Sequence, residues 1–431
     1  MKFNTLGRIS AALLFLAVCF GLSSCSRTYT VGFLYVLSSR GTAGDPNGTI
    51  NEYGIDYQTG SLLTLASSGQ STQGRNPVNL VISPNQKNVY VINHDDSTIQ
   101  WLKIGTDGKL YPQSVTQLDG IFPTGIALSA DSGYMYVTFT YRKTSLTANS
   151  GPGGVEVYKL GTPGADGGIS IGSPVASGGN NYFPAGVNPA SLAVGPNLSN
   201  TNASDINNAA CVTTPANCSS FVYVIDQDPT TFNNLLVYKR DIGSGALTPI
   251  GNTVIGSAAS QGYLSGVTAS SVAVAPRGIF VYVADSASNQ IIGYTVTGPG
   301  TLTAMTAGPF ATGSLPVSMT IDPRGRFLYV VDQNDSNIAG YVINASSGAL
   351  SASGTGRTPL DGTRPTCVTI ENALGIYMYT SNFDSGNVSA FQLNSTTGTL
   401  ARIRNSPYPA SAAPSCAAAV ANGSHATQLI Q

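Results

Sequence analysis

The sequence predicts an all-β fold, a seven-bladed β-propeller of four-stranded blades whose ring is closed by a C-terminal strand joining the first blade. Three observations carry this. A tyrosine sits in an apolar run such as FLYVVD seven times, as Tyr35, Tyr90, Tyr136, Tyr223, Tyr282, Tyr329 and Tyr379. A strand opening on proline also recurs seven times, at Pro77, Pro123, Pro189, Pro316, Pro365 and Pro414, with Ala269 standing in once. The two series are offset, because Tyr35 has no proline strand before it and Pro414 has no tyrosine strand after it. The chain ends thus supply complementary parts of one unit. The 47-residue step from Ala269 to Pro316 suits four strands per blade.

The clearest unit spans residues 315–350, with apolar runs of period-2 character at 317–321, 327–331 and 338–343 between turns rich in Gly, Asp, Asn and Pro. Strands this short bury both faces only by stacking against copies of themselves. One propeller uses residues 26–422 as a single domain, preceded by residues 1–25 and followed by a tail, 423–431. Charged residues make up 10% of the chain and the formal charge is −1. That balance gives no footprint for nucleic acid and none for direct attraction to an acidic membrane.

Residues 1–25 read as a targeting segment. Lys2 and Arg8 form a basic start, and residues 9–21 a short apolar run. The run ends in Leu22, Ser23, Ser24 and Cys25, which resembles the lipobox of bacterial lipoproteins and implies that Cys25 carries lipid. Ser26 resembles the pattern of lipoproteins sent to the outer membrane. The expected location is exported and lipid-anchored, at the outer membrane or the periplasmic side of a Gram-negative envelope.

Four cysteines remain for an oxidising compartment. Cys211 and Cys218 bracket a short loop and are expected to form a local staple, contributing about 2.5 kcal/mol by chain entropy. Cys367 and Cys416 each lie two residues past the proline of consecutive first strands, so a bond between them would lock the ring at its closure. Buried free thiols are the alternative for both pairs. With two histidines and no paired Cys-x-x-Cys, no zinc site is expected.

The first blade spans residues 29–65, and the second carries the only tryptophan, Trp101, read as a buried strand residue. Blades three and four are lengthened by loops at 140–154, 161–186 and 197–220, candidates for binding specificity or for surface decoration. The turns between second and third strands gather on one face and hold His94, Asp95, Asp96, Asp226, Asp228, Asp285, Asp332, Asp335 and Asp384, with Arg142 and Lys143 nearby. Asp96, Asp226, Asp285 and Asp332 are the candidate ligand-binding residues. No cofactor is expected, although such a ring has the oxygen chemistry for a divalent cation at the channel mouth. The same residues are what tight turns require.

Units such as PVSMTIDPRGRFLYVV resemble the repeats of the lactonase-type seven-bladed propellers, which include bacterial 6-phosphogluconolactonase and a muconate-lactonising enzyme. The resemblance spans residues 29–420. It implies hydrolysis of a lactone, which needs a base or activated water and a group to hold the developing oxyanion. The family's His-containing segment P-H-x-H is missing: the equivalent places read FPTGIALSADSGYMYVTFTYRK and NPASLAVGPN. His94 with Arg142 is the remaining candidate catalytic pair, His425 lying in the tail. GISIG around Ser170 matches a nucleophile string, but no helix can follow it in GSPVASGGNN.

Two functions follow. One is a lipid-anchored monomeric propeller that binds a small-molecule, glycan or protein ligand without turnover. The other is a lactonase acting on an extracytoplasmic sugar lactone or related cyclic ester.

Overall fold

The computed structural model describes residues 29–40, 45–66, 69–145, 148–150, 152–199, 218–228, 234–253, 262–297 and 300–423. The leader with Cys25, the Cys211 loop and His425 lie outside them. The described residues form strands and turns with no helix, in seven antiparallel sheets. Each sheet is one blade. In the sixth, the strands Pro316–Ile321, Phe327–Asp332, Asn337–Ile343 and Leu350–Pro359 run outward in chain order.

The innermost strands of blades two to seven are Pro77–Ile82, Gly120–Leu128, Pro189–Val194, Ala269–Val274, Pro316–Ile321 and Pro365–Ile370. The first blade takes its innermost strand, Pro414–Ala421, from the C-terminal end, where it pairs with Thr30–Ser38. These seven strands touch one another in sequence around the ring, and the seventh returns to the first.

The second strands of blades two, five, six and seven are buried along their whole length, as at Phe280–Asp285 and Phe327–Asp332. Their apolar runs are continuous because a blade has neighbours on both faces. The inner strands of blades two, four, five and six instead bury every third residue. The departure from period two follows from a bulge one residue past the opening proline or alanine, which recurs between Pro77 and Asn79, Pro189 and Ser191, Ala269 and Ser271, Pro316 and Ser318, and Pro365 and Cys367.

Among the described residues, the recurrent tyrosine fastens one blade to the next at six of the seven junctions. Its hydroxyl donates to a backbone carbonyl in the next blade's turn between third and fourth strands: Tyr35 to Gly108, Tyr136 to Gly245, Tyr282 to Gly348, Tyr329 to Gly398 and Tyr379 to Gly60, at 2.7–3.2 Å. The turn residue must be glycine because an aromatic side chain two positions before the tyrosine occupies the space of a Cβ. Gly108 lies on Phe33 and Gly398 on Phe327, each with positive φ. In the second blade Asn88 replaces that aromatic residue. It binds Gly167 O and Ile169 N while Tyr90 donates to Ile169 O, so residues 161–170 of the lengthened third blade serve as a strut between blades. Ser170 lies in this strut, followed by strand Ile171–Pro174, and Trp101 donates to Asn88 beside it.

The ring closure is also covalent. Cys367 and Cys416 form a disulfide between the innermost strands of the seventh and first blades, with Cα atoms 4.9 Å apart. Cys218 is disulfide-bonded, and its expected partner Cys211 lies outside the described residues.

Candidate functional site

The acidic turns lie on one face with the loops that lead into the inner strands, and most of their acids are spoken for. Asp226 ends a second strand fully buried and accepts from the amides of Val187 and Asn188 at 2.6–3.0 Å. Asp285 does the same for Val267 and Thr268 at 3.0 Å. Each carboxylate therefore clamps the loop entering its own blade, and a glycine three residues before the inner strand, Gly186 or Gly266, leaves room for it. Burial raises Asp226 to about 6 despite those amides. Burial acts the same way on Asp285, but hydrogen bonds from Ser288, Thr268 and Val267 outweigh it and hold the group below its usual value.

Asp96 is engaged by Arg75, whose guanidinium lies 2.6 Å away and whose amide donates at 2.7 Å; the side-chain bond to Arg75 lowers the carboxyl. Arg357 sits beside Asp335 and Arg364 beside Asp384, at 3.7 and 3.3 Å. The arginines come from strand and loop segments that the turn-by-turn reading left out. Among the described residues no group of three or more His, Cys, Asp or Glu is placed to hold a metal.

Asp332 differs. It is fully buried, and neither carboxyl oxygen has an aligned donor. In its blade the residue before the proline, Leu315, takes positive φ, and the loop amides turn elsewhere, Ser314 to Asp335 and Leu315 to Asn289. Blades two and seven share this loop shape and place asparagine there, Asn93 and Asn382, whose amides donate instead. Burial pushes Asp332 up to about 7 against the pull of the Gly313 amide and Arg357.

On the same face, the third blade opens a cleft of about 430 Å³ lined by Asp119, Gly120, Phe139, Arg142 and residues 179–182. Arg142 follows from the long second strand Tyr134–Ser145, which runs beyond its usual end and pairs Arg142 with Gly120. Its Nε donates to Pro152 O at 3.0 Å, and its guanidinium lies over the Tyr182 ring, 5.4 Å from the centroid. Tyr182 packs edge-on against Phe139 at 5.6 Å, and Asn181 donates to Asp119 at 2.7 Å. Behind the floor, buried Glu156 accepts from the Gly120 amide and the Tyr158 hydroxyl, taking over the clamp that Asp226 and Asp285 provide elsewhere. Burial raises Glu156 to about 7 even with those two donors.

The structure places Arg142 in this cleft and His94 outside its lining. His94 bonds Asp95 at 2.8 Å and stacks on Phe122 with ring centroids 4.8 Å apart. Phe122 in turn meets Tyr141, the neighbour of Arg142 on the opposite side of the strand. The cleft residues that the sequence reading missed are Asp119, Asn181 and Tyr182. Their one signal was the long loop 161–186, which carries two of them.

The fold and cleft define a seven-bladed propeller with a polar, aromatic-walled pocket on one face. The chain matches the family described as lactonase, 7-bladed beta-propeller, over residues 26–125 and 233–370. It belongs to that lactonase family. Among solved structures it is similar to a periplasmic gluconolactonase from Pseudomonas aeruginosa, at 19% identity, covering 91% of this chain and 100% of that one with a TM-score of 0.59. It is also similar to candidate 6-phosphogluconolactonases from Bacteroides uniformis (17%, 91% and 100%, TM-score 0.62) and Bacteroides fragilis (16%, 92% and 99%, TM-score 0.61). At these identities the likeness shows the fold alone. No curated protein matches the chain.

Proposed function

We propose that this chain is an exported, lipid-anchored monomer that binds a sugar lactone in the blade-three cleft and hydrolyses it. The observation that carries the reading is the convergence of Asp119, Arg142, Asn181 and Tyr182 on one pocket in a lactonase-family propeller. The aromatic wall suits the apolar face of a sugar ring, and the amide and carboxylate suit its hydroxyls. Asp119 is exposed and takes a proton from water; the hydroxide adds to the lactone carbonyl. Arg142 holds the resulting oxyanion, the ring C–O bond breaks, and the ring oxygen takes up the proton to give the hydroxy acid. The name of the Pseudomonas protein supports an extracytoplasmic lactone, as do the leader and the disulfide.

The second reading is binding without turnover. The place of His94 outside the cleft favours it, because the pocket then lacks an imidazole base. Turnover of glucono-δ-lactone and a panel of sugar and acyl lactones by the mature chain from Ser26, with calorimetric binding of the same compounds, separates the two. Hydrolysis lost in Asp119→Asn and Arg142→Ala but kept in His94→Ala supports the enzyme. Saturable binding without hydrolysis, weakened by Arg142→Ala, supports the binding module, and neither hydrolysis nor binding overturns both.

A further inference from the structure

We propose that the face opposite the cleft rests on the lipid bilayer, with Tyr29, Tyr57, Leu63 and Tyr111 at headgroup level. This inference rests on the lipid-anchor reading of Cys25 and adds to it a docking surface and an orientation. Strand Thr30–Ser38 of the first blade starts beside Asp56 and ends beside Pro414, at the cleft-side entrance to the inner strand. Tyr29 therefore lies at the far face, separated from the cleft side by the strand's nine residues, about 30 Å at strand rise. Cys25 precedes Tyr29 by four residues, and four extended residues span at most about 14 Å. A lipid on Cys25 therefore holds this corner of the first blade against the headgroups.

The corner is built for that place. Tyr29 and Tyr57 are 53% and 44% exposed and pack edge-to-face with centroids 5.7 Å apart. The Tyr57 amide donates to Tyr29 O, and Tyr377 donates to Tyr57 O, so the pair is fixed to the ring. Leu63, 41% exposed, stands in the first blade's outer strand near the same turn, paired with Gly54. Tyr111, 48% exposed, continues the rim at the corresponding end of the second blade's outer strand. Tyrosine favours the boundary between acyl chains and water because its ring is apolar and its hydroxyl is not. Around the two outer strands Asp56, Asp107 and Asp166 stand against Lys87, Lys103 and Lys109, with Lys103 paired to Asp166, so charges of the two signs offset each other and only Arg27 beside the tether adds a positive charge. Contact then depends on the tether, and the cleft is left facing the aqueous compartment.

Full-length protein from a Gram-negative host, reconstituted into phosphatidylethanolamine–phosphatidylglycerol vesicles, tests this by tyrosine iodination and mass spectrometry against the soluble chain from Ser26. Labelling of Tyr29, Tyr57 and Tyr111 is expected to fall at least about fivefold on vesicles, with Tyr141 and Tyr182 changing less than about twofold. The Tyr29→Ser, Tyr57→Ser double variant is expected to float with vesicles but to lose the protection of Tyr111. Flotation with uniform labelling, or with protection at Tyr141 and Tyr182, overturns the orientation. A protein without acyl label at Cys25 that does not float overturns the anchor reading and this inference with it, leaving the lactonase assay unaffected.

Discussion

The Tyr379 hydroxyl donates to the carbonyl oxygen of Gly60 at 2.7 Å, joining the last blade to the first across 319 positions of sequence. Tyr379→Phe leaves that buried carbonyl unpaired and is expected to cost about 1–3 kcal/mol in denaturant unfolding. Gly60→Ala is expected to cost more, because Gly60 has φ of +68° and an added Cβ would lie 2.4 Å from Tyr377. Equal stability of both variants with the parent would show that the blade junction does not depend on this contact.

The Cys367–Cys416 bond closes a loop with a sequence separation of 49. The chain-entropy estimate for such a loop is about 4 kcal/mol. The Cys367→Ser, Cys416→Ser double variant is expected to unfold at lower denaturant by that order, and reductant is expected to shift the parent by at least as much, because it also opens the bond at Cys218. No shift on reduction would mean that the bond adds nothing to the ring.

Asp332 stands where blades two and seven place asparagine, and its carboxyl is raised from 3.8 to about 7. The native state then keeps a proton that the unfolded chain releases, so this group favours the fold below about pH 4 and progressively less as pH rises to about 7. Asp332→Asn is expected to remove that loss, giving a higher Tm than the parent at pH 8 and little difference at pH 4. Its amide can donate to Asn337 Oδ1, as the Asn382 amide donates to Asn387 at 2.7 Å. A lower Tm for the variant at pH 8 would contradict the account.

Arg240 reaches from the fourth blade to Asp131 of the third at 2.5 Å and to Asn197 at 2.8 Å, with both charged side chains buried. Arg240→Ala strands a buried carboxylate and is expected to cost about 3–5 kcal/mol. Pairing it with Asp131→Asn is expected to recover part of the loss, and a double-mutant cycle measures how much.

The propeller was readable because its joints are made by residues the repeat preserves. A buried tyrosine hydroxyl needs an acceptor, the acceptor turn needs glycine, and the inner strand opens on proline in five blades, so these letters recur. Even the closure and its disulfide follow from counting. The cleft left no such trace, since Asp119, Arg142 and Tyr182 meet through departures from the repeat: an overlong strand and an inserted loop. The acids looked like a ligand ring for the opposite reason. Asp226 and Asp285 recur because each clamps its own loop, and only the loop shape at Leu315 distinguishes Asp332 from them.

The innermost strand of the first blade comes from residues 414–421, and Ala417 and Ala419 complete the core formed by Val31, Leu34 and Tyr53. On a chain made from its N-terminus, the first blade stays incomplete until all the others have been synthesised. The order of synthesis thus delays closure of the ring to the last step. A stop before residue 414 yields an unclosed arc rather than a smaller ring.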